Sequence, residues 1–211
     1  MNLPDLGWQW AYSRLAWGIV SAALLLRAWP RATAPMPRVA WVLAGLVSIA
    51  MFLPGSASPA HWLGLVFQLP SVMLVACCAV PLLARHAASH VGPALGLRFA
   101  LCIAGGGLLL YADSSAWLNL GLYARGFDPR GGPLAALLAG AGALWALRSA
   151  ESRITGLIVF ACVIVFCLTR LPSGNVFDAF VDPLIWLWCV AVSLRAALQR
   201  LRGAAPPLSA K

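Results

Sequence analysis

The chain has 211 residues, of which 62% are apolar and 10% charged, with a formal charge of +9. Soluble domains run at about 45–50% apolar and about 25% charged, and a water-exposed surface cannot absorb the excess, so the composition excludes a soluble globular domain. It does not indicate nucleic-acid binding either, because phosphate recognition needs a clustered basic face and these basic residues lie singly and in pairs between apolar runs.

A helix needs roughly 20 apolar residues to cross the hydrocarbon core, with a range of about 17–25. Seven runs answer to that description, approximately 8–26, 39–53, 59–83, 94–112, 133–147, 154–171 and 183–201. The second and fifth are short and extend into the interface. Strands are excluded, because only closed barrels satisfy the backbone in lipid and their strands alternate apolar with polar; these runs are continuously apolar. The first run is a retained helix and not a signal peptide, since no positive n-region precedes it and no small-residue cleavage site follows.

Helix breakers separate the runs. Pro30, Pro35 and Pro37 fill the first gap, Pro54-Gly55-Ser56 the second and Gly92-Pro93 the third. Gly126, Pro129, Gly131 and Gly132 precede the fifth run, and Pro172-Ser173-Gly174 the seventh. Ser58-Pro59 and Asp182-Pro183 read as cap-plus-proline helix starts, in which the cap side chain accepts from free N–H groups and proline at the first position loses no bond. Pro70 should kink the third helix. Gly105-Gly106-Gly107 and the Gly140–Ala143 stretch allow close helix approach. No internal repeat is present, which disfavours an inverted-repeat transporter.

The segment from Asp113 to Gly132 fits neither a span nor a simple loop. Trp117, Leu118, Leu120, Leu122 and Tyr123 are too few to span, but they suit a short helix in the interface, the depth Trp and Tyr favour. A re-entrant half-helix is the alternative.

Orientation follows from charge. Arg27, Arg31, Arg38, Arg85, Arg98, Arg148, Arg153, Arg195, Arg200, Arg202 and Lys211 alternate onto one side, leaving Arg14, Arg125, Arg130 and Arg170 for the other. The positive-inside rule puts the N-terminus outside and the C-terminus in the cytoplasm, and all five aspartates then fall on the outer side. The preference for Arg over Lys, with the Ala and Leu richness, points to a GC-rich bacterial genome. The expected architecture is all-α: a polytopic transmembrane bundle of about seven spanning helices plus a short interfacial or re-entrant segment, in a bacterial inner membrane. It forms one domain over 1–203, followed by a short disordered cytoplasmic tail over 204–211. No stretch resembles a known family.

All six cysteines lie inside apolar runs with no Cys-x-x-Cys or Cys/His ligand spacing, so they read as packing residues, with neither a disulfide framework nor a metal site. No cofactor is implied. The informative feature is the polar inventory of the outer side. Asp178 and Asp182 are spaced i, i+4 and would share one face of a continuous helix. There they act as an acid–base pair or bind a cation, or Asp182 caps the seventh helix and Asp178 favours its positive end. Arg170 and Asn175 lie just upstream and would complete an outward polar cluster. Arg14 sits near the end of its span, where it snorkels and either binds substrate or pairs with an aspartate. Arg125 and Arg130 flank a glycine-rich turn that lacks P-loop spacing, yet they sit where a lipid-linked phosphate would pass. His86 and His90 share a helical face but lack a third ligand. His61 with Ser56 or Ser58 lacks a nucleophile elbow.

These features leave three function classes. An accessory or assembly subunit of an envelope complex, partnered by the bilayer and another membrane protein, fits the small size and the lack of a catalytic motif. A small membrane-embedded enzyme at the outer leaflet would use Asp178 or Asp182 as base and Arg14, Arg125, Arg130, Arg170 and Asn175 to bind substrate. A carrier or channel is disfavoured by the absence of mid-membrane ionisable residues.

Overall fold

A computed structural model describes residues 3–29, 38–84, 95–148 and 152–203. The described residues form helices and turns, with no strand among them. In chain order the helices are α1 (Leu6–Ala28), α2 (Arg38–Ala50), α3 (Pro59–Phe67), α4 (Val72–Ala84), α5 (Leu97–Ser114), α6 (Leu122–Arg125), α7 (Gly131–Ala146), α8 (Arg153–Thr169), α9 (Val176–Phe180) and α10 (Pro183–Gly203). The 204–211 tail, the His86/His90 pair and most of the first and third connecting loops lie outside the described residues.

Two segments, Leu97–Ser114 and Pro183–Arg202, are long and apolar enough to cross a membrane, and only 22% and 11% of their most apolar stretches are buried. Arg38–Ala50, Gly132–Ala146 and Arg153–Thr169 are apolar but shorter.

Small residues set the pairing. α1 and α2 run antiparallel, with Gly18 against Ser48 at one end and Ala22 and Leu26 clustered with Ala40 and Ala44 at the other. The Ser48 hydroxyl donates to the Gly18 carbonyl across the seam at 3.3 Å. α5 meets α10 where the indole of Trp186 donates to the Ala104 carbonyl (3.0 Å) and lies against Gly107. A Cβ at residue 107 would overlap the Trp186 ring, whereas Gly105 and Gly106 face open space, so one glycine of the triplet serves close approach. A central core of Trp17, Met73, Cys77, Ile158, Cys162, Phe166, Ile185 and Cys189 joins α1, α4, α8 and α10. All six cysteines are free.

The run 59–83 is not one kinked helix. It breaks completely between α3 and α4, with Gln68 in the left-handed region (φ 62°). Leu69 precedes a proline, which disfavours helical backbone there, and Pro70 has no N–H to continue the ladder. The new start is capped from two sides: the Ser71 hydroxyl accepts from Leu74 N (3.0 Å), and the Ser71 N–H donates to Asp182 (2.6 Å). Ser58 occupies the N-cap position of α3, but its hydroxyl donates to the Met51 carbonyl (2.6 Å) and makes no cap bond.

The 113–132 segment also departs from the expected interfacial helix. Residues 115–121 are non-helical, and α6 spans four residues. The Asp113 carboxylate accepts from Leu120 N (2.6 Å), Gly121 N (2.9 Å) and Tyr123 N (2.9 Å), folding the chain into a loop around one side chain. Ala116, Asn119 and Gly121 take left-handed backbone. A carboxylate competing for backbone donors displaces helix. Trp117 projects from this loop, 86% exposed.

Candidate functional site

Six parts of the helical framework converge at one end of the bundle. They are the start of α1, the break between α3 and α4, the end of α5, α6, α9, and the start of α10, and they line a half-open cavity of about 520 Å³. That volume lies within the range of about 300–1,000 Å³ common to small-molecule sites. Gln9, Gln68, Ser114 and Ser173 supply neutral polar groups, Phe67, Tyr111, Tyr123 and Phe177 aromatic rings, and Asp178 and Asp182 the acidic groups. Among the described residues no Arg, Lys or His is in the lining.

Asp178 and Asp182 reach this cavity by a route other than a shared helical face. α9 ends at Phe180, and Val181 is extended (φ −130°, ψ 122°). Asp182 precedes Pro183, and the residue before a proline is turned away from the helical region, so α9 cannot run on into α10. Asp182 then starts α10 as its cap: Oδ1 accepts from Ile185 N at 2.8 Å while Oδ2 accepts from Ser71 N at 2.6 Å. One carboxylate, 6% exposed, therefore serves the first turns of two helices.

Asp178 sits in the first turn of α9 and is held by side chains. The Tyr123 hydroxyl donates to Oδ2 at 2.9 Å and lies 3.1 Å from Oδ1, and the Ser173 hydroxyl donates to Oδ2. Burial raises the Asp178 pKa above the ordinary carboxylate value, and these two hydroxyls pull it partly back. Burial and the neighbouring Asp178 charge push the Tyr123 phenol up to about 12.

Asn175 is fully buried, and its side chain is spent on the scaffold. Oδ1 accepts from Phe177 N (2.9 Å), capping α9, and Nδ2 donates to the Tyr123 carbonyl (3.0 Å). Val176 N donates to the Gly126 carbonyl (3.3 Å), and a Cβ on Gly126 would overlap the Asn175 amide. These contacts fasten the 170–182 loop to the α6 loop and carry Tyr123 to Asp178.

The four arginines proposed to bind substrate do not converge on the cavity. Arg125 and Arg130 are exposed, and Asp128 Oδ1 accepts from Arg130 N (2.9 Å) in a tight turn. Arg170 ends α8 in left-handed backbone (φ 58°), with its guanidinium 5.2 Å from the Phe166 ring centroid. Arg14 is 8% exposed and stacks on the Trp10 ring at 3.6 Å, with its Nε lacking a hydrogen-bond partner. The expected pairing of Arg14 with an aspartate is not formed among the described residues, since the nearest in sequence, Asp5, caps α1 through Gly7 N and Trp8 N. No group of three or more His, Cys, Asp or Glu side chains capable of holding a metal is found among the described residues. The sequence marked both cavity carboxylates, but it missed Tyr123 and Ser173, whose only signal was a polar residue beside a helix breaker.

The chain matches no protein-family model, and no significantly similar curated protein or solved structure was found.

Proposed function

We propose that the chain is a polytopic protein of a bacterial inner membrane, serving as an accessory or assembly subunit of an envelope complex. The observation that carries the membrane reading is the outward apolar surface. Ile49, Leu83, Leu137, Trp145, Leu168 and Leu201 are each at least 70% exposed and are distributed over α2, α4, α7, α8 and α10. Exposed apolar area on that scale marks contact with lipid or partners. On this reading the seven crossings are α1, α2, α3 with α4 as one broken crossing, α5, α7, α8 and α10, with the N-terminus outside. The residues at the cavity end are then extracytoplasmic, and Arg27, Arg98, Arg148, Arg153, Arg195, Arg200 and Arg202 are cytoplasmic. A broken helix is tolerated at membrane depth where it lines a cavity. Cysteine accessibility in intact cells tests the topology: a thiol placed at Trp117 should label from outside and one at Lys211 should not. Extraction in mild detergent should retain a stoichiometric membrane partner, and a monodisperse monomer with its own turnover would reject the subunit reading.

A second reading, a small enzyme working at the outer leaflet, is favoured by one observation: Asp178, a half-buried carboxyl with a raised pKa, lines a ligand-sized pocket. The arginines lie outside the lining, so support extends to a general base and not to a phosphate-bearing or lipid-linked substrate. Asp178→Asn should abolish any turnover while leaving the fold intact; full activity in that variant would end the enzyme reading.

A further inference from the structure

The cavity has a charge and shape that the subunit reading leaves unused. We propose that it is a binding site for a substituted ammonium group, held between the aromatic faces of Phe67, Tyr111, Tyr123 and Phe177 and the carboxylates of Asp178 and Asp182. The inference is independent of whether the chain catalyses anything.

Charge, acceptor capacity and size support this assignment. Among the described residues neither carboxylate is ion-paired and no basic side chain lines the cavity. Buried charge is ordinarily paired, so the charge missing from the cavity is positive. An anion would meet two carboxylates and no cation. The carboxylates also retain acceptor capacity, because the oxygens of Asp182 each accept one hydrogen bond, the single Tyr123 hydroxyl proton is spent on Oδ2 of Asp178, and a carboxylate offers about four lone-pair sites. A bare divalent metal is a poor fit, because such ions take about six oxygen ligands and the described lining offers only two carboxylates. A bulky, weakly hydrated ammonium is the better match, since aromatic faces attract it through their quadrupoles and a volume of about 520 Å³ admits its substituents.

The ammonium could arrive on a soluble amine or on a zwitterionic lipid headgroup, and the two sources are separable. Full-length protein in nanodiscs of phosphatidylglycerol alone is titrated with choline by equilibrium dialysis, with its neutral isostere 3,3-dimethylbutanol and with inorganic phosphate as comparison probes. Saturable choline binding, with the isostere at least about tenfold weaker and phosphate without effect, is the expected result. Including phosphatidylcholine in the nanodisc should displace choline if the headgroup reaches the cavity, and should leave the binding unchanged if the source is soluble; either supports an ammonium site. Asp178→Asn should weaken choline at least about tenfold, as expected on removing one partner of a desolvated charge pair. Tyr111→Leu, which leaves the carboxylates untouched, should weaken choline more than the isostere. The proposal is overturned if no choline binds up to tens of millimolar, if the isostere binds equally, or if phosphate competes. It is also overturned if a folded Asp178→Asn protein, checked by near-UV circular dichroism, binds choline like the parent. The wild-type comparison of choline with its isostere decides the matter even if a variant fails to fold.

Discussion

The backbone N–H of Ser71 donates to Oδ2 of Asp182 at 2.6 Å across a separation of 111 residues. Through this bond a helix start in the middle of the chain and one near its end share a single carboxylate, whose other oxygen caps α10 at Ile185. Asp182→Ala should therefore uncouple two helices at once. Loss of an N-cap costs about 0.5–2 kcal/mol, and an orphaned buried N–H about 1–3 kcal/mol, so a loss of about 2–4 kcal/mol is expected in reversible unfolding in mixed micelles. Asp182→Asn, which keeps one acceptor oxygen, should lose roughly half as much. Equal stability of the parent and the alanine variant would show that the Ser71 bond contributes nothing.

Asp178 should give a pH dependence of definite sign. Its folded pKa is raised by burial, so between the ordinary carboxylate value and that raised value the native state holds a proton that the unfolded chain has released. Stability should then fall as pH rises through this window and level off above it. Ammonium affinity should move the other way, rising as Asp178 ionises. Unfolding curves and choline dialysis over the same pH series check both slopes, and Asp178→Asn should flatten each of them.

Tyr123 and Asp178 titrate as neighbours, which makes the phenol a reporter. With the phenol at about 12 under burial and the Asp178 charge, Asp178→Asn should lower its midpoint in ultraviolet phenolate titration. The Tyr123 signal is isolated by subtracting the Tyr123→Phe profile. The phenylalanine variant should in turn raise the Asp178 pKa further, because the hydroxyl that stabilises its charged form is gone.

Gly126 lies where a Cβ would overlap the Asn175 amide. Gly126→Ala should force the 170–182 loop away from α6, at a cost of about 1–3 kcal/mol, the usual scale for overpacking. It should also weaken ligand binding by moving Tyr123 from Asp178. Limited proteolysis of the loop, with choline affinity measured alongside, checks the two effects together.

Arg14 is buried against Trp10 with no carboxylate partner among the described residues. Arg14→Met keeps the long apolar stem and removes the charge, so stability should hold within about 1 kcal/mol or rise, as with other buried charges replaced by apolar residues. A loss well beyond that would reveal an anionic partner for the guanidinium.

Much of the helical layout was legible in the sequence. Five of the seven apolar runs correspond to single helices of similar extent (α1, α5, α7, α8 and α10), and a sixth to the slightly shorter α2, because continuous apolar stretches bounded by Pro and Gly have few alternatives. The third run failed for a physical reason: Pro70 announces a disturbance, but whether it bends or breaks the helix depends on a partner for the freed donors. That partner, Asp182, is remote in sequence. The 113–121 loop failed likewise, since Asp113 capturing three backbone N–H groups is a matter of approach and not of periodicity.

Composition and the unbroken length of the apolar runs determined that the chain is helical with an apolar exterior, and residue spacing alone singled out Asp178 and Asp182. Only the tertiary structure decided that these two lie on separate elements yet line one cavity, that Tyr123 and Ser173 hold the first while two helix starts hold the second, and that the arginines stand elsewhere. The division has a simple origin. Apolar runs act locally through solvent and backbone and can be read along the chain, whereas hydrogen-bond partners are chosen by which helix ends meet in space.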